Sequence, residues 1–168
     1  MKRIKYILHK IRLLIFQKPR ILKYNILSNI KETSGNPLIF QPTLFLGDGF
    51  IRFGENVNFG VFNSPGFYNG VTYLESRNAN SKIIIGDNVW INNNFTAISD
   101  GASITIGKNS LIGFNVVVLD SDFHSLNPKE RRSGKGLSND VFIGENVFIG
   151  ANVTILKGVT IGNNSVIG

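Results

Sequence analysis

His124 sits in a polar stretch, Leu119-Asp-Ser-Asp-Phe-His-Ser-Leu-Asn-Pro-Lys-Glu-Arg-Arg-Ser-Gly-Lys-Gly-Leu-Ser-Asn-Asp140, with carboxylates shortly before it at Asp120 and Asp122. It is one of two histidines; the other, His9, lies in a basic N-terminal segment. An imidazole with its usual pKa of about 6.5 can accept a proton at neutral pH, which suits a general base that activates a hydroxyl. A carboxylate on the second ring nitrogen would fix the tautomer. Asp120 and Asp122 are candidates for that task or for holding an acceptor. Aspartates are equally at home in turns, through bonds to their own backbone, and a histidine in a polar loop is often just solvated. The chain has no Cys, which excludes disulfides, thiolate metal sites and a cysteine nucleophile.

The elements around this loop are set by a period of six. From Ile143 an aliphatic residue returns at Ile149, Ile155, Ile161 and Ile167, usually followed by Gly. The same register opens at Ile85-Gly-Asp-Asn-Val-Trp before Ile91, and at Ile106-Gly-Lys-Asn-Ser-Leu before Ile112 and Val118. Phe53-Gly-Glu-Asn-Val-Asn before Phe59-Gly is a degenerate, aromatic version. A short strand with one inward aliphatic residue cannot bury its apolar face alone, whereas stacked coils bury it jointly. The hexapeptide repeat therefore predicts an all-β solenoid, a parallel β-helix with three short strands per turn. Ile143 and Ile161 should stack one coil apart. Ile85 and Ile106 are out of phase, which predicts extra residues at a turn between them. The loop 119–140 interrupts the repeat and must protrude outward, where solenoid insertions often carry function.

The length of 168 residues fits one domain with a continuous core. The formal net charge of +7 is uneven: residues 1–31 carry nine basic residues and no acid, which leaves the rest at about −2. Ile4, Ile7, Leu8, Ile11, Leu14 and Ile15 recur at helical spacing, predicting an amphipathic helix over Met1–Phe16 that Pro19 interrupts, then a second short helix around Ile21–Ile30. The chain divides into a basic amphipathic segment, 1–35, and a β-helix domain, 36–168. The segment could cap the open end of the solenoid, lie on an anionic membrane surface from the cytoplasmic side, or bind nucleic acid. No nucleic-acid module accompanies the charge. No run is long and apolar enough to span a bilayer.

Together, Asp120-Ser-Asp-Phe-His124-Ser-Leu and the repeat from Val141 to Gly162 resemble the left-handed β-helix acyltransferases, specifically the sugar O-acetyltransferase branch. That branch includes galactoside, maltose and surface-polysaccharide acetyltransferases. The likeness runs from about Ile83 to Gly168, and more weakly back to Phe53. It implies a left-handed solenoid, acetyl-CoA as co-substrate, no metal in the chemistry, and a homotrimer with active sites in clefts between neighbouring β-helices. It implies His124 as base, assisted by Asp122, with direct transfer in a ternary complex. By register it places Asn92 and Asp100 against the acceptor; both also suit β-helix corners. For the donor it points to Phe148, where the family commonly has Trp, to a backbone contact at Ala151, and to Lys157, which is equally a solvated turn residue. The family's final coil and basic tail have no counterpart before Gly168, which falls in mid-hexapeptide, so a C-terminal truncation is expected.

Other classes remain open. A zinc hydratase on this fold needs three histidines, and the repeat region has one. An N-acyltransferase acting on an amino sugar would also use a base, and a non-catalytic glycan-binding β-helix would need none. The acceptor sugar is not specified by the sequence.

Overall fold

The computed structural model describes residues 2–168, with side chains from Ile4 onward. Seventeen short strands among these residues form a left-handed parallel β-helix of three sheets. Each strand pairs in parallel with the strand three places along the chain, so successive strands visit the three sheets in turn.

The first coil is β1 (Glu32–Ser34), β2 (Leu38–Ile39) and β3 (Thr43–Leu46). The second is β4 (Phe50–Phe53), β5 (Asn58–Phe59) and β6 (Thr72–Ser76). The third is β7 (Lys82–Ile85), β8 (Trp90–Ile91) and β9 (Thr96–Ser99), and the fourth is β10 (Ser103–Ile106), β11 (Leu111–Ile112) and β12 (Val117–Leu119). The fifth is β13 (Val141–Ile143), β14 (Phe148–Ile149) and β15 (Thr154–Ile155), followed by β16 (Thr160–Ile161) and β17 (Val166–Ile167).

The register follows the six-residue period. Ile143 pairs with Ile161, Ile85 with Ile106, and the aromatic version falls into line, with Phe53 opposite Ile85 and Phe59 opposite Ile91. The phase slip between Ile85 and Ile106 is taken up at the corner Asp100–Ala102, between β9 and β10. Ile143, Ile149, Ile155 and Ile161 are all buried in one core cluster that runs the length of the solenoid.

The recurring Gly and Asn have separate causes. A Cβ at Gly107 would come within 2.5 Å of the Gly144 backbone in the next coil, so stacked corners exclude a side chain. Asn56, Asn88, Asn94, Asn109, Asn115, Asn146, Asn152 and Asn164 all hold positive φ, the left-handed conformation that Asn tolerates best after Gly. Their amides join in ladders: Asn94 Nδ2 donates to Asn115 Oδ1 at 2.9 Å and Asn115 Nδ2 to Asn152 Oδ1 at 3.1 Å.

At the N-terminal end, Phe45, Phe53 and Phe59 fill the coil interior edge to face, with ring centroids 5.5–6.2 Å apart. Above them the chain is helical: α1 (Lys2–Arg12), a π-helical turn (Leu13–Gln17) and α2 (Lys18–Leu27). Pro19 does not end the helix as the sequence predicts. It falls in the first turn of α2, directly after the wide π turn, where its missing N–H and its ring are tolerated. The helix stops at Leu27 instead of Ile30, and residues 29–31 run along the edge of β3. Asn29 and Ile30 donate to the Phe45 carbonyl and Lys31 to that of Gly47, so this segment caps part of the open edge. The first strand is already in place at Glu32–Ser34, beginning four residues before the expected start of the solenoid at residue 36.

Two insertions interrupt the coils. Residues 120–140 leave after β12, as the sequence predicts. Residues 60–71 leave after β5 and pack beneath the helix, an insertion that no break in the six-residue period announces.

Candidate active site

The arm 120–140 is anchored by Asp120, which is fully buried. Its carboxylate accepts from Asp100 N at 2.6 Å, Ser99 Oγ at 2.8 Å and Ala102 N at 3.0 Å. Asp120 is thus the turn aspartate, fastening the arm to the corner where the repeat slips. The two legs of the arm then run antiparallel, through bridges between Ser121 and Ser138 and between His124 and Lys135. Gly136 permits their close approach, since a Cβ there would lie 2.5 Å from Phe123 N. His124 is exposed near this hairpin's start.

Asp122 is placed differently from Asp120. Its backbone carbonyl accepts from His124 N at 2.7 Å, while its carboxylate turns to the next coil. There Lys157 Nζ lies 3.3 Å from Oδ2, an ion pair without hydrogen-bond geometry. Lys157 therefore has a partner within the chain, and the Asp122 carboxylate faces Lys157 while His124 meets the backbone of the same residue.

A charged cluster that the sequence analysis missed supports the arm from the other side. Arg77 follows β6 and stacks its guanidinium 4.9 Å from the Phe123 ring centroid. It pairs with Glu75 at 3.0 Å and Asp100 at 3.3 Å, and Tyr73 Oη donates to Glu75 Oε2 at 3.0 Å. The bond from Arg77 holds the Glu75 carboxyl below its ordinary pKa, with Tyr73 adding to the effect against the opposing influence of burial. The bond to Glu75 likewise raises the Arg77 guanidinium, and burial first, then Glu75, raises the Tyr73 phenol. The only signal in the sequence is the alternation Tyr73-Leu-Glu75-Ser-Arg77, which puts three polar side chains on one face of a strand.

Asp100 faces this cluster and accepts from Asn78 Nδ2. Asn78, Asn80, Asp100, Phe123, Lys135 and Gly136 line a cavity of about 470 Å³. Phe123 and Lys135 are the chain neighbour and the bridge partner of His124, whose own side chain is not part of the lining.

The remaining candidates lie elsewhere. Asn92 follows β8, and its Oδ1 accepts from Asn93 N at 2.7 Å. It borders a shallow cavity of about 240 Å³ with Trp90, Leu111 and Phe148. Phe148 belongs to an outward ladder of paired positions, Trp90, Leu111, Phe148 and Val166. Ala151 is exposed at the corner after β14, below Phe114. The candidates thus sort into two corners. Asp100, Asp120, Asp122, His124 and Lys157 follow the strands of the third sheet; Asn92, Phe148 and Ala151 belong to the second sheet and the corner that follows it.

Residues 140–168 match the family model described as bacterial transferase hexapeptide (six repeats). This supports the resemblance to hexapeptide-repeat transferases read from the same residues. No curated protein matches the sequence. Among solved structures the chain is similar to one described as the polySia specific acetyltransferase NeuO. The two share 20% identity over 83% of this chain and 74% of that one, with a TM-score of 0.41. That likeness is loose, and the fold rests on the strand pairings themselves.

Proposed function

We propose that this chain is an acetyl-CoA-dependent O-acetyltransferase acting on a sugar hydroxyl, of the kind used to modify surface polysaccharides, with His124 as general base. The observation that carries this reading is the arm. A solenoid with the transferase hexapeptide repeat is interrupted by one polar loop, and a buried carboxylate with three donors fastens that loop so that it presents an exposed imidazole. The cavity at the root of the arm, which the neighbours Phe123 and Lys135 help to line, carries amide, carboxylate and aromatic groups, the chemistry that holds sugars.

In this mechanism neutral His124 takes the proton of the acceptor hydroxyl as its oxygen bonds to the thioester carbonyl carbon. Backbone N–H groups at the coil corners stabilise the tetrahedral oxyanion. The intermediate collapses, the carbon–sulfur bond breaks, and the imidazolium returns its proton to the leaving thiolate. Asp122 accepts from the His124 backbone N–H, which fixes the turn that carries the imidazole, and ties the arm to the coil below through Lys157. Asp100 contacts the acceptor from the same corner. Asn92, Phe148 and Ala151 lie at a different corner, so the reading brings them to His124 from a neighbouring copy, in a homotrimer whose clefts hold acetyl-CoA.

The test is release of free thiol from acetyl-CoA in the presence of a panel of sugar acceptors. His124→Ala should lower turnover by about two to four orders of magnitude, the usual worth of a positioned base. Because His124 is exposed, the variant should fold normally. Near-normal turnover would remove His124 from the chemistry, and a product acylated only on amino sugars would replace O- by N-transfer.

A further inference from the structure

The apolar stripe of α1 is turned away from the solenoid. The side of the helical segment that meets the body carries His9, Leu13, Gln17, Arg20 and Ile21. Gln17 is buried and donates to the carbonyls of Phe40 at 2.9 Å and Phe67 at 2.8 Å. Arg20 donates to Gln17 Oε1 at 2.9 Å and to the Gly70 carbonyl at 2.7 Å, and the His9 ring lies 4.1 Å from that of Phe62. At 3.6 residues per turn, Ile4, Ile7, Leu8 and Ile11 share the side of α1 opposite His9. All four are exposed, from 44% at Ile11 to 63% at Ile4, and Leu14, Ile15 and Phe16 continue the bare surface. The amphipathic stripe of α1 thus faces away from its own domain, which the helical segment meets through a mixed side of polar and aliphatic residues. An apolar stripe of this length, rimmed by charge, marks a surface that meets something else.

The charge selects the occupant. Lys5 and Arg12 flank the stripe on one side and Lys10 on the other, where long side chains can reach outward while their stems stay at the apolar edge. Arg12, Phe16, Arg20 and Tyr68 line a surface cavity of about 300 Å³, two guanidiniums beside two aromatic rings, a setting suited to a phosphate at headgroup depth. A second copy meeting this face would bring together two segments that each carry nine basic residues and no acid. An anionic lipid surface instead complements them. Among the described residues no helix is long and apolar enough to cross a membrane, so the segment would lie on the surface.

We propose that α1 and the π-helical turn dock on an anionic membrane, with the exposed apolar side chains between Ile4 and Phe16 entering the acyl boundary and the basic residues at headgroup level. The bonds of Gln17 and Arg20 hold the solenoid at a fixed orientation to that surface, so the β-helix stays in the water above it. This inference does not depend on the acetyl-transfer reading.

The experiment is co-sedimentation of the full chain with vesicles of phosphatidylcholine alone or with about a third phosphatidylglycerol, at low and high salt. Binding should require the anionic lipid and weaken at least about tenfold at high salt. Leu8→Asp/Ile11→Asp and Lys5→Glu/Lys10→Glu should each reduce the partition coefficient by about tenfold or more. Both pairs are exposed, and circular dichroism should show the same β-helix. Unchanged vesicle binding by both variants would overturn the proposal. So would a native chain that stays in the supernatant, or an apolar-face variant that changes only the sedimentation coefficient of the protein alone, which would assign the stripe to a second copy.

Discussion

The two insertions into the solenoid do opposite things. Residues 60–71 carry three aromatic side chains and are packed down as a support, with Phe67 buried and Phe62 and Tyr68 partly open to solvent. Asn93, itself fully buried, donates to the carbonyls of Val61, Ser64 and Pro65 and accepts from Val61 N, while Gln41 reaches the Gly66 carbonyl at 2.8 Å. Phe62, Phe67 and Tyr68 stack edge to face, and the helical segment rests on them. Residues 120–140 are polar and project. Their attachment is concentrated at the root, on Asp120 and on the Arg77–Phe123 stack, and the rest is largely exposed. A solenoid can therefore use an insertion either as a shelf, when its apolar residues find a second layer, or as an arm, when one buried charge fixes its base and leaves its tip in water.

Changes at the two anchors should separate these roles. The larger effect is expected at Asp120→Ala. It strands the backbone N–H groups of Asp100 and Ala102, while the Ser99 hydroxyl keeps the Ala102 carbonyl as acceptor, and should cost about 3 kcal/mol in denaturant unfolding. Acetyl transfer should fall with it, because the arm loses its root. If stability is unchanged, Asp120 is not the fastening and the arm is held elsewhere. Gln17→Ala acts on the shelf. It leaves the carbonyls of Phe40 and Phe67 without this donor and removes an acceptor from Arg20, at a cost of about 1–3 kcal/mol. The loss should be local: amide exchange should quicken in the helical segment and residues 60–71 while β7 to β16 keep their protection. Uniform loss of protection would mean that the shelf and the coils unfold together.

The sequence reveals the arm and hides the shelf for a physical reason. Regular Ile-Gly hexapeptides flank 120–140, so the change to charged residues there breaks an otherwise clear period. Around 60–71 the flanking coils use Phe53 and Phe59 in place of aliphatics, and Phe62, Phe67 and Tyr68 read as more of the same core. The strand register from Ile83 onward was legible because one inward residue per strand is the least a coil can have. The helix orientation was not, because amphipathic spacing gives a stripe but not the direction it faces. Asp120 and Asp122 were indistinguishable as letters. Only the coil geometry turns the first into the corner, where three donors meet it, and the second toward Lys157. In the Glu75–Arg77–Asp100 cluster the alternation along β6 was legible, but the partnership was not, because Asp100 joins it from the next coil.

That cluster gives the smallest and sharpest test of how the arm is held. Glu75 is kept ionised below the usual carboxylate range mainly by its bond from Arg77. A carboxyl with a depressed folded-state pKa adds stability that is fully present above its unfolded value, about 4.3, and is lost as pH falls through the folded value. Arg77 is partly exposed, so solvent screening limits the pair's worth to under about 1 kcal/mol. Glu75→Gln should therefore lower the melting temperature slightly at pH 7. The gap from the native chain should narrow once the pH falls below the unfolded value and close only after it passes the depressed folded value, where native Glu75 is protonated too. Exchange at Phe123 and His124 should rise in the variant at neutral pH, since Arg77 loses the partner that holds it over the Phe123 ring. A gap that persists unchanged at low pH would show that Glu75 acts through packing, leaving Asp120 as the fastening of the arm.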